Sequence, residues 1–202
     1  MKKQTNRTFS RICICIGVGL VVLAAAALLF WQWSMEAARK NAAAYVQTIH
    51  TLIPEPQSAA PEERRDNTMS ALSIDGTNFI GILEIPKYGS ALPVCADWGE
   101  ISQYPCCRSG SIYDRTMEIG GTTQRGQYDF YREISVGDSV FFTDMEGNRF
   151  AYEITDIRYE KHGDQTALRR EAAALTLSVK NIYAFEYIII SCNIMDSFAP
   201  VL

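Results

Sequence analysis

The sequence predicts a mainly β domain, a barrel or a sandwich, carried behind one membrane-crossing helix, and three observations predict it. An uncharged run opens at Ile12 and closes at Trp33, which exceeds the roughly 20 residues a helix needs to cross a hydrocarbon core. From Phe79 onward, seven short runs of β-forming residues alternate with turn residues over about 115 positions. A chain of 202 residues, 48% hydrophobic and 21% charged, has material for one medium core and an accessory segment, but not for two full cores.

Residues 1–11 carry Lys2, Lys3, Arg7 and Arg11 and no acid. The positive-inside rule therefore places the N-terminus in the cytoplasm and everything after the span outside, in a single-pass cell-membrane arrangement. Residues 12–33 form the span. Trp31 and Trp33 close it as an interfacial aromatic belt would, and Cys13 and Cys15 inside it read as small apolar side chains. Ala42 and Ala44 offer small residues to a signal peptidase. The apolar run is longer than the 7–15 residues of a signal peptide and those alanines lie far downstream, so the span is expected to be retained as an anchor.

With four of the 19 basic residues ahead of the span, the remainder holds 15 against all 23 acids, about −8. Such a surface excludes nucleic acid as a partner, because phosphate binding needs a local excess of Lys and Arg.

Residues 34–53 are alanine-rich, with Ser34 as a possible cap and Glu36 and Lys40 at i, i+4 spacing, so a juxtamembrane stalk helix is expected to end before Pro54. Residues 54–77 have linker composition, prolines and acids among small polar residues. The folded domain is expected over 78–202. Its runs are FIGILEIP, ALPVC, TMEIGG, DSVFFTD, RFAYEITDIRYE, LTLSV and EYIIISC. A tight hairpin is predicted at Met145 to Asn148, where Gly147 supplies the positive φ, and Phe150, Tyr152 and Ile154 should line one buried face. Two stretches, 128–134 and 166–174, read as short helices.

These runs carry a resemblance. FIGILEIPKYGSALPVCADW is similar to the opening of the sortase family, where one strand ends in Ile-Pro-Lys and the next in Leu-Pro-Val. RSGSIYDR, the block YREISVGDSVFFTDMEGNRFAYEI and the LTL at Leu175 to Leu177 resemble later family segments in the same order. The resemblance is closest to sortases of clostridial-type Gram-positive bacteria. It implies a closed eight-stranded β-barrel with a groove for a sorting-signal peptide, on a membrane-anchored protein acting at the cell wall or a pilus.

Sortase chemistry uses a cysteine thiolate that attacks a backbone carbonyl to form a thioester, a histidine as acid and base, and an arginine that steadies the oxyanion. In family register those three positions fall on Lys180, Thr122 and Tyr187. A lysine would form a stable amide, Thr122 supplies no base, and Tyr187 lacks the fixed charge and fork of a guanidinium. The expectation is a catalytically degenerate protein that binds a sorting-signal-like peptide or a surface-protein partner. One alternative is an active transpeptidase using a relocated pair, Cys192 with His162. The other is a structural membrane module whose groove is filled.

Histidine is scarce, His50 on the stalk and His162 in the segment EKHGDQ, and neither stands at the histidine position. Cys95 with Cys106 or Cys107 either staples the loop between them or stays reduced. No Cys-x-x-Cys spacing supports zinc, and the turn acids Asp97, Glu100, Asp138, Asp144 and Glu146 show no repeated ligand spacing, so no metal or cofactor is expected.

Overall fold

All seven β-type runs become strands in the computed structural model, which describes residues 3–58, 67–161 and 173–195. The chain forms two units, residues 1–37 and 38–202. The first is the greater part of a continuous helix α1, Lys3–Leu52. Its side chains from Ile16 to Trp33 are exposed, with Val21, Leu29 and Trp33 each close to 70%. This stretch is long and apolar enough to cross a membrane, and its apolar window is unburied.

The second unit contains the last turns of α1 and ten strands: β1 (Gln57–Ser58), β2 (Leu72–Ile74), β3 (Thr77–Ile85), β4 (Ser90–Cys95), β5 (Cys106–Ser109), β6 (Met117–Thr122), β7 (Ser139–Asp144), β8 (Asn148–Lys161), β9 (Leu175–Asn181) and β10 (Glu186–Ile194). Pairing runs β8-β10-β9-β6-β5-β4-β3, and β7 joins β3 back to β8. That ring is a closed barrel of eight strands. β1 and β2 are short additions outside the ring, on β8 and β3. Closure leaves no open edge on the ring itself.

Alternation fills the interior. Phe150, Tyr152 and Ile154 from β8 point inward at 2% exposure or less, with Leu175, Leu177 and Val179 from β9 and Ile188, Ile190 and Cys192 from β10. At the β7–β8 hairpin, Asp144 Oδ1 accepts the backbone N–H groups of Glu146 and Asn148, both at 2.9 Å. Gly147 follows at φ +83, where a side chain would also meet Pro54.

A second apolar cluster lies outside the ring. Val46, Ile49 and Ile53 of the α1 end pack on Phe79, Ile82, Cys95, Tyr104 and Cys106. Tyr45, Phe79 and Tyr104 meet as an aromatic trio with centroids 5.3–5.7 Å apart. Part of the alanine-rich stretch 34–53 thus lies on the barrel, and Leu72–Ile74, within the linker-like stretch 54–77, pairs with β3.

Residues 128–134 are a run of turns rather than the short helix expected. Tyr128, Tyr131 and Ile134 all bury into the barrel. The backbone closes with Tyr131 N–H to Tyr128 C=O and Glu133 N–H to Phe130 C=O, both i to i+3. Three inward anchors in seven residues hold the chain in turns. The other expected helix, 166–174, lies almost wholly outside the described residues.

Candidate functional site

Strand register brings the three candidate positions together. Thr122 of β6 pairs with Lys180 of β9 in parallel register, and Lys180 pairs with Tyr187 of β10 in antiparallel register. Residues directly opposite one another in a sheet share a face. The inward face here is taken by Ile119, Leu177, Val179, Ile188 and Ile190. Thr122, Lys180 and Tyr187 therefore form one row on the outer face, at the rim where β6 and β9 end.

Each member of the row is held differently. The Thr122 N–H donates to Gln127 Oε1 at 2.8 Å, its carbonyl accepts from Tyr128 N–H at 3.1 Å, and its hydroxyl is buried without a hydrogen-bond partner. Lys180 is exposed, without the burial that an amine needs to become a nucleophile. Its carbonyl accepts from Thr123 N–H at 3.0 Å, which clamps the ends of β6 and β9 together. Tyr187 is half-buried beside it.

Below the row, the outer face is shaped by glycines. A Cβ at Gly120 would stand 2.3 Å from the Trp98 ring, and one at Gly121 would stand 2.3 Å from the Tyr128 ring. Trp98 therefore lies over β6 from outside while Tyr128 fills it from inside. Trp98 sits on a short 3₁₀ turn, Trp98–Glu100, capped by Asp97 Oδ1 accepting the Gly99 N–H at 2.8 Å, and Arg108 stacks 5.8 Å from its ring. Sequence reasoning missed Trp98. The legible signal was the glycine pair inside a strand, which marks a close approach from both sides.

The relocated pair finds no such support. Cys192 is wholly buried on the inward face of β10, opposite Ile154 and Leu175, and burial pushes its thiol up, away from the reactive thiolate. It stands five residues along β10 from Tyr187, about 17 Å at strand rise and on the opposite face. His162 lies outside the described residues. Cys95 and Cys106 face each other across the β4–β5 bridge as buried free thiols, and Cys95 is pushed up by the Cys106 thiol and by burial. No group of three metal-ligating side chains assembles among the described residues.

No family model matches the sequence, and no curated protein matches it. Solved structures do. Sortase A from Corynebacterium diphtheriae is similar over 83% of this chain and 86% of its own, at 14% identity and a TM-score of 0.53. Sortase C1 from Streptococcus agalactiae is similar over 62% of this chain and 72% of its own, at 17% identity and a TM-score of 0.51. The barrel has the sortase fold. Identity at this level carries the fold and nothing finer.

Proposed function

We propose that this chain, a sortase fold behind an apolar N-terminal helix, is a membrane-anchored protein that binds an extended peptide of the sorting-signal kind, or a surface protein carrying one, without transpeptidating it. α1 would cross the cell membrane with its N-terminus in the cytoplasm and hold the barrel outside. The observation that carries the reading is the row Thr122, Lys180 and Tyr187. It stands at the family's functional positions by sequence register, and it contains no thiol, imidazole or guanidinium. The exposed lysine and the Tyr187 hydroxyl can hold a carboxylate and a backbone carbonyl. They cannot run an acyl transfer through a labile thioester.

The full chain in nanodiscs, given a fluorescent sorting-signal peptide and an amine acceptor, is expected to bind the peptide and leave it intact. Lys180→Ala should weaken binding about tenfold, the loss of a charge-assisted hydrogen bond of roughly 1.5 kcal/mol. A thioester or a transpeptidation product from the unaltered chain would overturn the reading.

A second reading is favoured by Trp98. Its ring occupies the outer face next to the row, as expected of an interaction module whose groove has been filled. On that reading the parent chain binds no peptide and Trp98→Ala does.

A further inference from the structure

Loops at the rim of a barrel usually cover themselves with polar residues, and the β9–β10 loop does not. Ile182, Tyr183 and Phe185 are 40%, 64% and 91% exposed, and a cavity of about 340 Å³ opens along Lys180 to Glu186. The backbone beneath them is fastened. Asn181 Oδ1 accepts Tyr183 N–H at 3.0 Å, Asn181 Nδ2 donates to Glu186 Oε1 at 2.8 Å, and Thr123 Oγ1 accepts Ile182 N–H at 3.1 Å. The loop is built to hold apolar side chains outward, and an apolar cluster so displayed marks an interaction surface.

Covalent connection says what covers it. Three residues after Thr123, Gly126 lies against α1, where a Cβ would stand 3.0 Å from the Cα of Arg39. Arg39 follows Trp33 by six residues, and six residues reach at most about 20 Å in any conformation. This rim is therefore joined by a short stretch of chain to the end of the apolar run. Exposed cations flank the loop, Lys180 at its start and Arg39 and Arg125 at Gly126; among the acids, Asp129 is exposed, Glu160 is half-buried opposite Tyr187, and Glu186 is turned to Asn181. Aromatic rings among cations suit a lipid interface, rings at headgroup depth and cations toward anionic headgroups.

We infer that the Lys180 to Glu186 loop is a membrane-docking tip, which seats Ile182, Tyr183 and Phe185 in the headgroup boundary of the bilayer that α1 crosses. The inference rests on the reading of α1 as a membrane anchor. It turns the Thr122, Lys180 and Tyr187 row toward the membrane surface, where an exported chain emerges.

The test uses the full chain in nanodiscs of phosphatidylcholine and phosphatidylglycerol, with and without acyl chains brominated near the headgroups. Phe185→Trp adds one indole at an almost fully exposed position, and its emission is read as the difference from the parent. The parent's emission comes from Trp31 and Trp33, which report on the anchor, and from Trp98 on the barrel, which lipid bromination is not expected to quench. The added emission is expected to be blue-shifted and to lose most of its intensity in brominated lipid. Red, unquenched added emission beside quenched parent emission overturns the docking tip and leaves the anchor standing. Quenching of neither overturns both. A blue shift without quenching places a protein surface on the tip and overturns its lipid assignment.

Discussion

Gly120 and Gly121 are adjacent in β6, yet their missing side chains serve opposite faces, one making room for Trp98 outside the barrel and the other for Tyr128 inside it. Gly120→Ala is expected to cost on the order of 1–3 kcal/mol, the usual penalty of overpacking, in thermal unfolding of the full chain in detergent. Trp98→Ala introduced with it should recover most of that loss. Strictly additive losses would show that the ring is not what fills the space. Asp138 offers a second residue-scale test. Burial of its carboxyl works upward, but the Lys87 ammonium and the Tyr88 hydroxyl, each at 2.7 Å, and the Ser135 N–H at 2.9 Å outweigh it and hold the group below the usual carboxylate range. Since the folded value is the lower one, its stabilisation is present above the unfolded value near 3.9 and is lost as pH falls through the folded one. Asp138→Asn should melt below the parent at pH 6, and the gap should close in acid. A gap independent of pH would show that charge is not involved.

Among the elements, the end of α1 shows how propensity and packing separate. Alanine content predicts helix over 34–53, and the structure has helix through Leu52. What the composition does not reveal is that Val46, Ile49 and Ile53 have a surface to meet. That surface, Phe79, Ile82, Cys95, Tyr104 and Cys106, comes from three separated stretches of chain and exists only once the barrel has closed. Ile49→Ala should cost about 2–5 kcal/mol, while the neighbouring His50→Ala, on the exposed side, should stay within about 0.5 kcal/mol. Equal effects would mean that this face is not packed. Strand β5 was illegible for a related reason: four residues with one buried side chain carry too little alternation to read. It is nonetheless the eighth member of the ring. The turns at 128–134 misled because apolar residues at i, i+3 and i+6 fit a helix as well as three anchors dropped into a barrel.

At the scale of the whole molecule, buried thiols and phenols make the fold sensitive to alkali. Cys192 is pushed up by burial, Cys95 by the Cys106 thiol and by burial, and burial takes Tyr104 up to about 12. All three are higher folded than unfolded, so their contribution is whole below the unfolded values, about 8.5 for a thiol and 10 for a phenol, and fades as pH rises above them. The melting temperature of the full chain should fall between pH 8 and 10.5, and a flat or rising profile would contradict the burial. The same burial predicts slow alkylation: of the four cysteines after the span, only half-buried Cys107 should react appreciably before unfolding, and all four afterwards. Cys95 and Cys106 still blocked after unfolding would reveal the staple. The sequence by itself determined what neighbours along the chain can determine: an apolar run long enough for a bilayer, strands from alternation, a hairpin from Gly147, and a likeness to the sortase fold. Only the tertiary structure decided the company these residues keep. Thr122, Lys180 and Tyr187 share a row because barrel closure sets parallel and antiparallel registers between distant strands. Trp98 lies over Gly120, Cys192 faces inward, and Gly126 lies against Arg39 for the same reason. Local preference fixes the shape of a segment, whereas contact between segments depends on how the ring closes, and no single stretch of sequence encodes that.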